Sequence, residues 1–253
     1  MRECRLCLQK VPSLVKSHIY PRALNHAPGT SGAPLAIVMQ TGDVKKSQAG
    51  IYEAFLCQRC ESIFSEPERH FISFVRDLDA GEPIVDAQGR MIARKYTQRQ
   101  ADPRSLRLYA NSLLLRAHLS THEFFRSTDL GSHYERLKSF VVRNEIGDDD
   151  DFSLLLFRYT GLVGRPARSP QRIKIGDANA MILSPPGLRL YIKVDKRPLR
   201  GELREAMVKA GQELLVVHQE TTRENFAQAF ALTEPVRDNI SRILARPKRN
   251  AGV

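Results

Sequence analysis

Four cysteines, all within the first sixty residues, constrain this chain more than any other feature. Cys4 and Cys7 form one Cys-x-x-Cys pair, Cys57 and Cys60 a second, and no cysteine follows. Two intervening residues let a tight turn aim both sulfurs of a pair at one ion, and two such pairs supply the four thiolates of a closed structural zinc site. A redox role for either pair is the alternative; two pairs with no other cysteine favour a shared metal. The N-terminus has no apolar core of a secretory signal, and no apolar run reaches bilayer length, so a cytoplasmic protein with no membrane contact is expected.

The first pair lies in a short polar turn suited to a knuckle, and the second opens a helical stretch. A knuckle and a helix start sharing one ion make a treble clef. Residues 8–56 separate the pairs, too long a loop for a simple finger and enough for inserted structure. Leu35–Gln40 reads as a strand and Lys45–Gly50 as a polar turn. Ser65-Glu66-Pro67-Glu68 has the form of a capping box, with Ser65 as cap, before a helix carrying Phe71, Ile72, Val75 and Leu78 on one face. Gly81–Gly89 reads as a turn or short hairpin.

A second block starts at Asp102-Pro103, a cap followed by proline. Leu106, Tyr109, Leu113 and Ala117 mark one amphipathic helix, and Leu130, Tyr134, Leu137 and Val141 another. Beyond the acidic run Asp148–Asp151, read as a solvated turn, the period changes to two. Phe152–Tyr159 reads as a buried strand, Arg172–Ile175 with Ala180–Leu183 as a hairpin, and Leu214–Val217 as a further strand. Leu188, Leu190, Ile192 and Val194 alternate with Arg189, Tyr191, Lys193 and Asp195, the pattern of a half-exposed strand with a basic outer face. Residues 222–245 read as a closing helix. The expected fold is α+β: an N-terminal treble-clef zinc module over residues 1–100, then a mixed helix and antiparallel-sheet body over 101–253.

The formal net charge is +11, and Gly164–Arg200 holds nine basic residues against Asp177 and Asp195. Such a surplus attracts polyanions through counterion release. Nucleic acid, DNA in particular, is the favoured partner, with Arg189, Lys193, Lys196 and Arg197 as candidate phosphate contacts; an acidic protein partner is the alternative. The chain has no nucleotide-binding glycine loop, no Gly-x-Ser-x-Gly elbow and no His-Glu-x-x-His.

Cys-x-x-Cys, then His18-Ile19-Tyr20-Pro21, then Leu-Cys-x-x-Cys-Glu resembles the HNH, or ββα-metal, endonuclease layout over about the first 80 residues. The resemblance implies His18 as the general base that activates water and the four cysteines as structural zinc ligands. It makes Glu61, directly after Cys60, the helix-borne ligand of a catalytic Mg²⁺ or Mn²⁺. The sequence departs from that pattern at Ser17, where an acidic ligand is usual, and lacks the middle Asn. Glu66, Glu68 or His70 are candidates to complete the metal site. A non-catalytic module, with His18 bracing the clef and the zinc serving as scaffold for DNA or protein binding, is the alternative. The chain also resembles bacterial proteins with a Ser-His-Ile-x-Pro variant of this module, in which a segment like Asn111–Glu135 follows the zinc region. That resemblance implies a mobile-element or phage-defence setting.

Overall fold

The computed structural model describes residues 1–26, 35–47, 50–160 and 166–220. The chain opens with a two-stranded knuckle, β1 (Arg2–Glu3) and β2 (Lys10–Val11), followed by β3 (Val15–Pro21) and a 3-10 turn over Arg22–His26. A hairpin of β4 (Leu35–Val38) and β5 (Val44–Ser47) precedes β6 (Gly50–Leu56), which pairs antiparallel with β3. Then come α1 (Gln58–Ser62), α2 (Ser65–Arg76), the hairpin β7 (Glu82–Val85) and β8 (Met91–Tyr96), and the long α3 (Pro103–Leu119). After two short 3-10 turns and α4 (Tyr134–Val142), the sheet is completed by β9 (Leu154–Thr160), β10 (Ala167–Ile175), β11 (Ala178–Ser184), β12 (Leu188–Lys193) and β13 (Leu214–Glu220). The short α5 (Gly201–Glu205) precedes β13.

Nine strands form one sheet in the order β5-β4-β10-β11-β12-β9-β13-β8-β7. The α+β class is as expected, but the sheet is mixed: β4 runs parallel to β10, and β13 parallel to β9. Strands on both sides of residue 100 share it, because β4, β5, β7 and β8 flank the strands of the C-terminal part. The long insertion between the cysteine pairs therefore has a structural use. Its β4–β5 hairpin leaves the zinc region and extends the sheet beside β10. The turn lies at residues 40–43, where the Met39 amide donates to the Asp43 carbonyl; of Lys45–Gly50, expected as a turn, Lys45–Ser47 and Gly50 are strand and residues 48–49 lie outside the described residues. The closing helix expected over 222–245 lies outside the described residues.

Local chemistry explains several boundaries. Asp102 caps α3 as expected, accepting from the amides of Arg104 and Ser105 at 3.1 Å, with Pro103 at the first helical position where its missing N–H costs nothing. The capping box at Ser65 does not form. The Phe64 amide donates to the Glu61 carbonyl and the Glu68 amide to the Phe64 carbonyl, so α1 runs almost directly into α2 and leaves no free start to cap. Asp86 closes the β7–β8 hairpin by accepting from the amides of Gln88 and Arg90, each at 2.9 Å. Gly50 opens β6 at φ +81°, and a Cβ there would strike the Tyr20 carbonyl, so the approach of β6 to β3 requires glycine.

Helix α3 was expected to be amphipathic and is buried nearly all round, from Ser105 to Ala117. It packs against α2, α4, β3 and β12. Strand β12 is buried on both faces too, which corrects the half-exposed basic strand. Leu188, Leu190 and Ile192 face the main core; Tyr191 joins a second layer with Leu155, Ala180, Leu199 and Met207 beneath α5. The charged residues on that face find internal partners. Arg189 lies 4.6 Å over the Tyr159 ring, and the Lys193 ammonium donates to the carbonyls of Asp150 and Asp195. The acidic run is a turn, as expected, with Asp148 and Asp149 exposed and Asp151 buried. Its carbonyls wrap buried cations, with Arg107 donating to Ile146, Asp148 and Asp151.

Several contacts join the zinc region to the remainder. The buried Tyr20 hydroxyl accepts from the Ser184 amide at 3.0 Å, between the edges of Phe124 and Phe125. Glu53 on β6 accepts from Arg5 at 2.8 Å, from the hydroxyls of Ser120 and Thr121, and from the Thr121 amide at 2.9 Å. Burial works against ionisation of Glu53, but these hydrogen bonds and Arg5 outweigh it and hold its carboxyl below the ordinary value.

Tyr20→Phe removes the buried oxygen to which the Ser184 N–H donates and is expected to cost about 1–3 kcal/mol in urea unfolding. For Glu53, a depressed folded value means stabilisation that is complete above the unfolded value near 4.3 and is lost as pH falls through the folded one. Glu53→Gln should therefore be less stable than wild type at neutral pH, with the difference shrinking on acidification below about pH 4 in a thermal-melt series.

Candidate metal centre and the His18 face

The knuckle turn between β1 and β2 presents Cys4 and Cys7. Leu8 takes a left-handed conformation at φ +61°, and its amide returns to the Cys4 carbonyl at 2.8 Å, closing the turn. On the other side, Cys57 caps α1 in extended geometry and Cys60 lies one turn later, with both sulfurs brought back to the knuckle. The ligand atoms of all four cysteines lie within 4.8 Å of one another, and the Cys7 and Cys57 sulfurs are 3.9 Å apart. Tetrahedral zinc with bonds of about 2.3 Å places its sulfurs about 3.8 Å apart. The donor set and its dimensions fit one zinc ion.

The electrostatics agree with that fit. Burial opposes ionisation of Cys4, yet the surrounding N–H groups of Cys7, Cys57 and Leu6 bring its thiol down to about 7; the Cys57 amide lies 3.3 Å from its sulfur. Cys60 is pushed up by burial and by the sulfurs of Cys57, Cys7 and Cys4. Four thiols sharing one pocket cannot all ionise alone, and a dication among them removes the conflict.

Strand alternation separates the two residues that precede Ile19. Ser17 is fully buried, whereas His18 is exposed and meets the ring edge of Tyr52, its partner on β6, at 5.9 Å. His18 therefore does not brace the zinc site. Glu61 lies in the first turn of α1, which packs against β3. Its carboxyl is raised by burial, which outweighs the opposing influence of Ser17, Arg116 and His18. Glu61 Oε2 and Ser17 Oγ are both buried, and among the described residues neither has a close hydrogen-bond partner beyond the influence of the Ser17 hydroxyl on the Glu61 carboxyl.

Sequence reasoning missed the residue that organises this cluster. Arg116, from α3, is fully buried; it donates to the His18 carbonyl and pairs with Glu68 at 2.9 Å, with its guanidinium 5.0 Å from the Phe64 ring centroid. Its Nε and Nη2 have no hydrogen-bond partner, nor does the neighbouring Tyr109 hydroxyl. No motif spacing signals this role, since Arg116 lies on a different helix ninety-eight residues from His18. Glu68 is thus committed to Arg116, while Glu66 and His70 are exposed on α2. The other helical histidines have local duties: His118 stacks on Tyr134 at 4.8 Å, and His122 Nδ1 accepts from the Phe124 amide at 3.1 Å.

Of the four candidate phosphate contacts, Arg189 and Lys193 are buried and only Lys196 and Arg197 reach the surface. Arg197 donates to the Asp177 carbonyl at 2.6 Å and lies 3.5 Å from the Asp195 carboxylate. The structure does not gather these four into one basic surface.

Zinc analysis of the purified protein is expected to return one equivalent, and Cys57→Ser to lose it together with resistance of the N-terminal region to protease. Unchanged zinc content and melting in that variant would exclude the four-cysteine site. No family model, curated protein or solved structure matches this chain.

Proposed function

We propose that this is a zinc-scaffolded nucleic-acid-binding protein whose hairpin-and-helix module hydrolyses phosphodiesters as an HNH-type, metal-dependent DNA endonuclease. The observation that carries the reading is the exposure of His18 on β3, a strand that packs against α1, which bears Glu61 and is anchored in the four-cysteine cluster through Cys60. In this reading zinc is structural. An exposed imidazole is free to accept a proton from water as that water attacks phosphorus. Glu61, whose buried carboxyl has only the Ser17 hydroxyl close to it among the described residues, is the side chain offered to a Mg²⁺ or Mn²⁺ ion, which would supply charge neutralisation at the phosphate. Lys196 and Arg197 serve as outlying phosphate contacts. The resemblance at Cys4–Cys7, His18 and Cys57–Glu61 extends the reading to a cytoplasmic bacterial protein acting in mobile-element or phage-defence settings.

A second reading has its own support in Arg116. A guanidinium already pairs with Glu68 close to Glu61, and Ser17 is a poor ligand for a hard dication. On that reading the module is a scaffold, and the protein binds DNA or a protein partner without cleaving it.

Incubation with plasmid and with single-stranded DNA in Mg²⁺, Mn²⁺ or Ni²⁺ separates the two. The endonuclease reading expects cleavage by wild type and about 10²- to 10⁴-fold less by His18→Ala with its zinc retained. Salt-sensitive binding with no cleavage in any metal supports the scaffold.

A further inference from the structure

The outward face of the β3–β6 hairpin has a composition that zinc binding does not require. Lys16 and His18 of β3 point to the same side; β6 places Ala54 opposite Lys16 and Tyr52 opposite His18. All four are exposed, while Ser17, Ile19, Ile51 and Phe55 on the inner side are buried. Tyr52 is 39% exposed, among the few large apolar side chains left at the surface. The Lys16 ammonium lies 4.8 Å from its ring centroid, and the His18 ring meets it edge-on at an interplanar angle of 62°. Ala54, on the same face, is too short to cover the ring.

An aromatic ring held between a cation and an imidazole, at the surface and next to a candidate general base, suits one kind of ligand. Every nucleobase has a π-face that stacks on such a ring, and the adjoining phosphate is complementary to a lysine on a flexible stem. A duplex hides its base faces within the stack, so a ring of this kind discriminates in favour of unpaired bases. We infer that Tyr52, flanked by Lys16, stacks an unpaired nucleobase beside His18, which makes single-stranded nucleic acid, or an unpaired stretch within a duplex, the substrate class. The inference rests on the nucleic-acid reading above and deepens it. The ring sets which nucleotide lies against His18, and Lys16 holds the backbone one step away.

Binding without turnover tests the platform independently of catalysis. Fluorescence anisotropy with a labelled oligo(dT) and a labelled duplex of the same length, in buffer without added divalent ions, is run at about 50 mM and 200 mM salt. Wild type should prefer oligo(dT). Tyr52→Ala should weaken oligo(dT) binding about 5- to 150-fold and leave duplex binding unchanged, and Tyr52→Phe should bind as wild type. Lys16→Ala should weaken both probes and lower the salt slope by about one. Zinc content and melting temperature should not move in any of these surface variants. Salt-sensitive oligo(dT) binding that is indifferent to Tyr52→Ala overturns the platform while the nucleic-acid reading stands, as does equal affinity of wild type for both probes. Failure of wild type to bind either probe overturns the nucleic-acid reading and the platform with it.

Discussion

A guanidinium carried into a protein interior must find acceptors there, and α3 carries in two. Arg107 and Arg116 lie on the helix that packs against α2, α4, β3 and β12, and both are almost completely shielded from water. Leaving such a group unpaired costs several kcal/mol, so the surrounding chain is obliged to supply partners. For Arg107 these are three carbonyls of the loop at residues 146–151; for Arg116 they are the Glu68 carboxylate and the His18 carbonyl. One helix thereby fixes the acidic loop that precedes the central strands and the hairpin strand that bears His18. The zinc region is not an appendage. It is locked to the helix around which the sheet is laid.

The same logic explains the long insertion between the cysteine pairs. A four-sulfur site orders its own knuckle and helix start but specifies nothing about their orientation to a larger body. Orientation comes from β4 and β5, which continue the large sheet, from Tyr20 against Ser184, and from Glu53, which gathers Arg5, Ser120 and Thr121. Because Glu53 lies on β6 next to Tyr52, the contact that docks the region also holds the strand opposite His18 in register. Fold and site share that strand.

How much of this was legible in the sequence depended on how local each signal is. Cys-x-x-Cys turns, the Asp102-Pro103 cap and the hairpin of Arg172–Ile175 with Ala180–Leu183 are written in a few adjacent residues, and each formed where expected. Patterns whose meaning depends on a distant partner were misleading. Alternating basic residues on β12 look solvent-facing until α5 and Met207 cover that side, and Lys193 then turns to carbonyls. The Ser65 capping box is a sound local pattern, but α1 runs into α2 and Glu68 is drawn to Arg116 instead. Lys45–Ser47 has turn-like polarity and is strand because β4 offers it an edge. In the candidate site, the cysteine cluster was readable, whereas Arg116, on another helix, was not.

Charge shows the same separation between composition and placement. A net charge of +11 suggested a polyanion partner, yet Arg107, Arg116, Arg158, Arg168, Arg189 and Lys193 are all buried. Buried cations still contribute to the long-range field that draws a polyanion in. They cannot touch a phosphate, because contact requires the nitrogen at the surface. What remains for close recognition is the exposed set, and in it Lys16 differs from Lys196 or Arg197 by lying against an exposed aromatic ring and two residues from His18. In the basic run Gly164–Arg200, Arg168, Arg189 and Lys193 are buried while Arg172, Lys174, Lys196, Arg197 and Arg200 are exposed, and none of these is placed on the hairpin that bears His18, where Lys16 lies. On the proposed nucleic-acid reading, position relative to His18, rather than density along the chain, is what makes a basic residue relevant to recognition.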